Sequence, residues 1–106
     1  MANQISQIKN WTVWHINGSM DINTSPKLDE EGQKVLTAAK NLVADLSDVG
    51  YLSSAGLRVI IRLAKRAKKD GKSFALSSAK GMVANVLKES KMDMLVTIFN
   101  SLDELD

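Results

Sequence analysis

Residues 41–69 constrain this chain more than any other stretch. They begin with a short, almost wholly apolar run, Asn41-Leu-Val-Ala-Asp-Leu46, which suits a central strand covered by helices. They end with residues 54–69, where Leu57, Ile60, Ile61, Ala64 and Ala67 recur at helical spacing, the clearest such period in the sequence. Between the two, a short polar turn leads into the paired serines Ser53 and Ser54. A strand, a turn and an amphipathic helix in that order predict an α/β unit.

The flanking segments extend the unit. Residues 5–8 and 11–17 read as two strands joined by a turn at Lys9-Asn10, with Asn17-Gly18 ending the second. Ser25 as N-cap and Pro26 at the first helical position open a helix, whose start is favoured by Asp29, Glu30 and Glu31. Leu28, Val35, Leu36 and Ala39 form its sparse apolar stripe. After Asp70-Gly71, residues 73–76 return as a strand. Ser78 or a neighbour then caps a helix carrying Met82, Val83, Val86 and Leu87. Residues 95–99 make a final strand, and Ser101-Leu-Asp-Glu104 fits a capping box that opens a short terminal helix. The order β-β-α-β-α-β-α-β-α predicts one α/β domain over residues 1–106, with a mixed sheet of about five strands and four helices mainly on one face.

Composition removes several function classes. There is no cysteine, hence no disulfide, thiol nucleophile or Cys-ligated zinc, and a single histidine leaves little for a metal site. Neither a cofactor nor a metal is expected. The N-terminal run Met-Ala-Asn-Gln-Ile-Ser lacks the features of a secretory signal, and no apolar run approaches the roughly 20 residues that span a bilayer. The expectation is a cytoplasmic protein. Seven of the 14 basic residues lie between Arg58 and Lys72. No aromatic residue interleaves with them, so they read as the solvated back of a helix rather than a nucleic-acid or membrane surface.

The chemistry is concentrated at Ser53 and Ser54. One serine suffices as the N-cap of the helix, which leaves the other hydroxyl available where backbone N–H groups point outward. A nucleophilic role fits poorly. Ser54-Ala-Gly56 ends like a Gly-x-Ser-x-Gly elbow, but Leu52 replaces its first glycine and His15 is the only base in the chain. His15 alternates with Trp14 and Ile16 and so belongs to the opposite sheet face, as a surface or half-buried residue. Trp11 and Trp14 read as packing residues, Trp11 reaching the exposed sheet face. Asp21, Asp45 and Asp48 are candidates to gather near the serines, where turn formation explains them as well as Mg²⁺ binding does. No phosphate-cradling glycine motif is present.

The run Asp45-Leu-Ser-Asp-Val-Gly-Tyr-Leu-Ser-Ser-Ala-Gly-Leu57 resembles the anti-sigma factor antagonists, bacterial proteins with a STAS domain. Gly18-Ser-Met-Asp21 looks like the family's Gly-x-Leu/Ile-Asp after the second strand, and Lys69-Asp-Gly-Lys-Ser-Phe-Ala-Leu-Ser resembles its helix-to-strand return. The resemblance spans nearly the whole chain. It implies a non-enzymatic binding module with Ser54 as phosphoacceptor. Ser53 stands where the family usually carries Asp, which makes it the alternative acceptor.

The resemblance also implies a partner switch. The unmodified protein binds an anti-sigma factor that is also a serine-protein kinase, phosphorylation weakens that complex, and a type 2C serine phosphatase restores it. The implied partner surface comprises Asp21, Asn23, Thr24, Ser53, Ser54, Ala55, Gly56 and Arg58, on a monomer or weak dimer. The alternative is a STAS scaffold or sensor subunit of a larger signalling assembly that does not act through a sigma factor.

Overall fold

A hairpin starts the chain, and three helical crossovers then add strands to it in sequence order. The computed structural model describes residues 3–106; Met1 and Ala2, part of the run inspected above for a secretory signal, lie outside the described residues. Strands β1 (Gln4–Ile8) and β2 (Trp11–Met20) precede helix α1 (Ser25–Ala38), β3 (Asn41–Leu52) and α2 (Ser54–Lys69). Then follow β4 (Ser73–Ser77), α3 (Gly81–Glu89), a 3-10 turn (Met92–Met94), β5 (Thr97–Phe99) and a second 3-10 turn (Leu102–Glu104). The sheet order is β1-β2-β3-β4-β5. β1 is antiparallel to β2, and every later pair is parallel. The expected mixed five-stranded α/β sheet is present.

The two faces of the sheet are unequal. Trp14, Ile16, Leu42, Ala44, Leu46 and Leu76 point toward the three α-helices and pack with Leu28, Leu36, Ile60, Leu63, Val83 and Leu87 in the main core. Each fully buried large side chain there contributes roughly 1.5–3 kcal/mol. On the other face Val13, Val43 and Ala75 are covered by Leu105, with Trp11 and Phe99 beside them. These two rings meet edge to face at 5.8 Å, which places Trp11 where the alternation of β2 put it. The expected fourth helix is a 3-10 turn on this face. Its capping box is split: Ser101 Oγ accepts from Asp103 N, whereas Glu104 Oε1 reaches back to accept from Asn100 N, one residue early.

Several boundaries differ from the sequence reading. β3 does not stop at Leu46 but continues to Leu52, so the expected polar turn is strand. Its register against β2 steps from His15↔Asp45 to Asn17↔Asp48, and from Gly18↔Val49 to Ser19↔Tyr51. Each step is a bulge that gives β3 one extra residue. Leu46, Val49 and Leu52 are therefore all buried although three residues apart, a spacing that hides a strand from any period-2 pattern. β2 likewise passes through Gly18, whose φ of +103° suits glycine, and ends at the buried Met20. α2 has the predicted bounds, with its buried stripe at Gly56, Val59, Ile60, Leu63, Ala64 and Ala67; Leu57 and Ile61 are only partly buried. α3 is preceded by Lys80 with no side-chain cap, while Ser78 sits in the linker at φ 65°. β5 starts at Thr97 rather than at residue 95. Among the described residues, no helix is long and apolar enough to cross a membrane.

Candidate functional site

β2 and β3 end side by side, with Met20 opposite Leu52. The chain then leaves β3 directly into α2, and the Met20 carbonyl organises the corner. It accepts from Ser53 N at 3.0 Å and from Ser53 Oγ at 3.2 Å. Ser53 is the N-cap by position, yet its hydroxyl bonds across to β2 and does not cap the helix. Ser54 is the first helical residue and is exposed; among the described residues its hydroxyl has no hydrogen-bond partner. The first helical bond recorded at this end runs from Leu57 N to Ser53 O. Among the described residues the earlier N–H groups have no side-chain cap, and they stand at the positive end of the helix dipole.

Gly56 permits this junction. A Cβ there would lie 2.7 Å from the Met20 carbonyl oxygen and 2.7 Å from Leu52 Cδ1. Gly56 is buried, so of the expected partner-surface residues it acts inside the junction rather than on its exterior.

Across the corner, residues 21–24 form a self-bonded turn. Asp21 Oδ1 accepts from Asn23 N at 2.9 Å and from Thr24 N at 3.0 Å. Thr24 Oγ1 accepts from Asp21 N and donates to Ser19 O at 2.7 Å. The Thr24 backbone N–H, above all, holds the Asp21 carboxyl below its ordinary pKa. Thr24, not Ser25, precedes α1; Ser25 is already helical, with Pro26 next in the first turn. The capping expected of Ser25 does not occur: among the described residues α1 has no side-chain cap, and Ser25 Oγ is buried with no partner.

A groove of about 220 Å³ runs between the starts of α1 and α2, lined by Ile22, Ser25 and Asp29 on one side and Ala55, Arg58 and Arg62 on the other. Ile22 is 75% exposed at its edge. Sequence reasoning missed the groove; an isoleucine set among Asp21, Asn23 and Thr24 was its one legible trace. Arg62 lies 3.2 Å from Asp29, whereas Arg58 has no carboxylate in ion-pair range among the described residues. Beyond the groove, Arg66 of α2 donates to Gln33 and Thr37 of α1, and Lys72, past the end of α2, donates to the carbonyls of Leu36 and Thr37.

The three aspartates do not gather. Asp45 lies on the other sheet face, where its Oδ2 accepts from His15 Nδ1 at 2.7 Å and its Oδ1 accepts from Ser47 N at 3.1 Å. Asp48 is exposed on β3. Among the described residues, no group of three or more candidate metal-ligating side chains occurs. Ser6 Oγ lies 2.8 Å from His15 Nε2, which completes a Ser6–His15–Asp45 chain from edge strand to sheet centre. Both His15 nitrogens are engaged there, so His15 does not serve Ser54. That triad-like chain was invisible in the sequence because it depends on the register of three strands.

Glu31, expected with Asp29 and Glu30 to favour the start of α1, lies beyond its first turn, which holds no acidic residue, and has a different role. It accepts from Trp14 Nε1 at 2.6 Å and from Asn3 N and Nδ2. Burial pushes its carboxyl up, but these hydrogen bonds more than offset that and hold it below its ordinary value.

Comparison with known proteins places this geometry in a family. The profile of the STAS domain matches residues 2–105. Among solved structures, an anti-sigma factor antagonist from Mycobacterium paratuberculosis is similar at 23% identity and TM-score 0.86, over 97% of this chain and 88% of that one. A serine-to-glutamate variant of RsbS from Moorella thermoacetica is similar at 26% identity and TM-score 0.72, over 93% and 86%. The Bacillus cell fate determinant SpoIIAA, in its phosphorylated form, shares the fold at 11% identity and TM-score 0.70, over 97% and 95%.

Proposed function

The chain belongs to the STAS-domain family, regulatory rather than catalytic domains, and on that footing we propose that it is an anti-sigma factor antagonist switched by reversible phosphorylation of Ser54. Residues 1–106 act as one cytoplasmic domain, a monomer or weak dimer. In its unmodified form it binds an anti-sigma factor that is also a serine kinase. The kinase transfers the γ-phosphoryl group of ATP to Ser54 Oγ and releases ADP; a type 2C phosphatase hydrolyses the phosphoserine.

One observation carries the choice of residue: of the two adjacent serines, Ser53 is tied to Met20 O, and Ser54 is exposed with its hydroxyl unbonded among the described residues. The surroundings suit the modification. A phosphate of about −1.5 to −2 charge at a helix N-terminus is stabilised by the N–H groups it faces, so the modified protein keeps its fold. The effect falls on the complex. One like-charge pair at 4 Å costs about 1 kcal/mol in water and about 4 kcal/mol at an effective dielectric of 20. Each 1.4 kcal/mol is about tenfold in affinity, so a dianion facing one carboxylate is enough to dissociate a surface complex without a conformational change. The surface concerned is Asp21, Asn23, Thr24, Ser53, Ser54, Ala55 and Arg58, with Gly56 holding the corner beneath it.

The test is intact-mass analysis after incubation with ATP and the cognate kinase, followed by peptide mapping. A single added phosphoryl group on Ser54 is expected. Ser54→Asp is expected to lose kinase binding by tenfold or more, and Ser54→Ala to bind and resist modification. If both variants bind and are phosphorylated like the wild type, the assignment is wrong.

A further inference from the structure

We infer that the α1–α2 groove seats an acidic segment of the protein partner, and that Arg58 is the residue through which phosphorylation of Ser54 is read. The inference rests on the reading of Ser54 as phosphoacceptor and adds to it a partner chemistry and a transmitting residue.

Two features of the groove point to an occupant. Ile22, at the rim, leaves 75% of its surface open to an apolar side chain. The second feature is charge. Arg62 is matched by Asp29 at 3.2 Å, whereas Arg58 is exposed and unmatched among the described residues. The free charge of the groove is therefore positive, and an acidic segment complements it.

Arg58 lies one helical turn beyond Ser54 on α2, at the i, i+4 spacing that brings side chains together. In the unmodified protein its guanidinium is available to a carboxylate of the partner. A phosphate on Ser54 is a nearer and doubly charged acceptor, and guanidinium–phosphate pairs are among the stronger hydrogen-bonded ion pairs. Phosphorylation thus acts twice at one place. It occupies the arginine the partner uses, and it sets negative charge at the mouth of a groove that holds an acidic segment. A basic occupant would be drawn in by the same phosphate.

Two measurements test this. Protein carrying phosphoserine at position 54, introduced during translation, is titrated by ³¹P NMR beside the same protein with Arg58→Gln. The second phosphate ionisation is expected about 0.2–0.4 pH unit lower with Arg58 present, the size of one i, i+4 ion pair; identical titrations overturn the clasp. Calorimetry with the kinase that modifies Ser54 gives the second measurement. Arg58→Glu is expected to weaken binding of the unmodified protein at least tenfold and to flatten its salt dependence, with Lys68→Glu changing affinity less than twofold. If Arg58→Glu binds like the wild type, or Lys68→Glu weakens binding equally, the acidic segment is excluded. Should Ser54→Asp still abolish binding in that case, only this inference fails and the reading of Ser54 stands. If Ser54→Asp itself binds like the wild type, both fall.

Discussion

The molecule has two serine-containing polar clusters, one on each side of the sheet, and they are built to opposite plans. On the open face, Ser6, His15 and Asp45 satisfy one another: both imidazole nitrogens are bonded, and both Asp45 oxygens accept, one from His15 and one from the Ser47 N–H. At the start of α2, Ser53 is bonded but its neighbour Ser54 is free. Among the described residues, the opening N–H groups there have no side-chain cap, Arg58 has no carboxylate in ion-pair range, and Ser25 Oγ is buried without a partner. The closed cluster joins three strands and has nothing left to offer. The open one leaves a donor set, an acceptor hydroxyl and a cation for something outside the chain. Ser-His-Asp geometry alone draws attention to the closed cluster.

That contrast is open to attack by substitution. The largest stability effect is expected at Gly56, because an added Cβ collides with a backbone oxygen that cannot swing aside. Gly56→Ala should cost about 3 kcal/mol in denaturant unfolding, the upper end for overpacking, whereas Gly50→Ala, with nothing within 4 Å of its new Cβ, should be near neutral. Next comes the closed cluster: Asp45→Ala deprives His15 and the Ser47 N–H of their acceptor at once and should cost about 2 kcal/mol. A neutral result there would erase the distinction drawn between the clusters. Ser53→Ala removes one bond to Met20 O and should cost about 1 kcal/mol. Ser54→Ala should change unfolding by less than about 0.5 kcal/mol, so equal effects at the two serines would show that the pair is not divided as described. The smallest effect is confined to acid. The Glu31 carboxyl is lowered in the folded protein, so its contribution is present above the unfolded-state pKa and lost as pH falls through the folded one. Glu31→Gln should flatten that acid limb of the stability curve and leave its shape near neutral pH unchanged.

The parts legible in the sequence were those whose signal is local. α2 declares itself because Leu57, Ile60, Ile61, Ala64 and Ala67 repeat at helical spacing within one element, although only Ile60, Ala64 and Ala67 of these are in the fully buried stripe. His15 was placed on the correct face by alternation with Trp14 and Ile16. The second half of β3 was lost because its bulges put Leu46, Val49 and Leu52 three apart, a spacing that belongs to neither strand nor regular turn. The start of α1 was misread by one residue because Thr24, held in the turn that Asp21 bonds, takes the N-cap position and leaves Ser25 as the first helical residue. At the candidate site, the sequence showed that two serines meet one helix start. Which of them remains free depends on the Met20 carbonyl, 33 residues away in the chain, and on a parallel register that only the folded sheet defines.

The strand order β1-β2-β3-β4-β5 is also the order of synthesis. Each strand that emerges from the ribosome finds its pairing edge already built, and no strand waits for a partner made much later. The corner around Ser54 needs only β2, β3 and α2, so its hydrogen bonds can form once Lys69 has left the ribosome, before β5 is available. Leu105, which covers Val13, Val43 and Ala75, arrives last. A chain clipped after α2 would therefore carry Ser54 in its native corner while one sheet face stayed bare. Such a fragment is expected to aggregate rather than to signal.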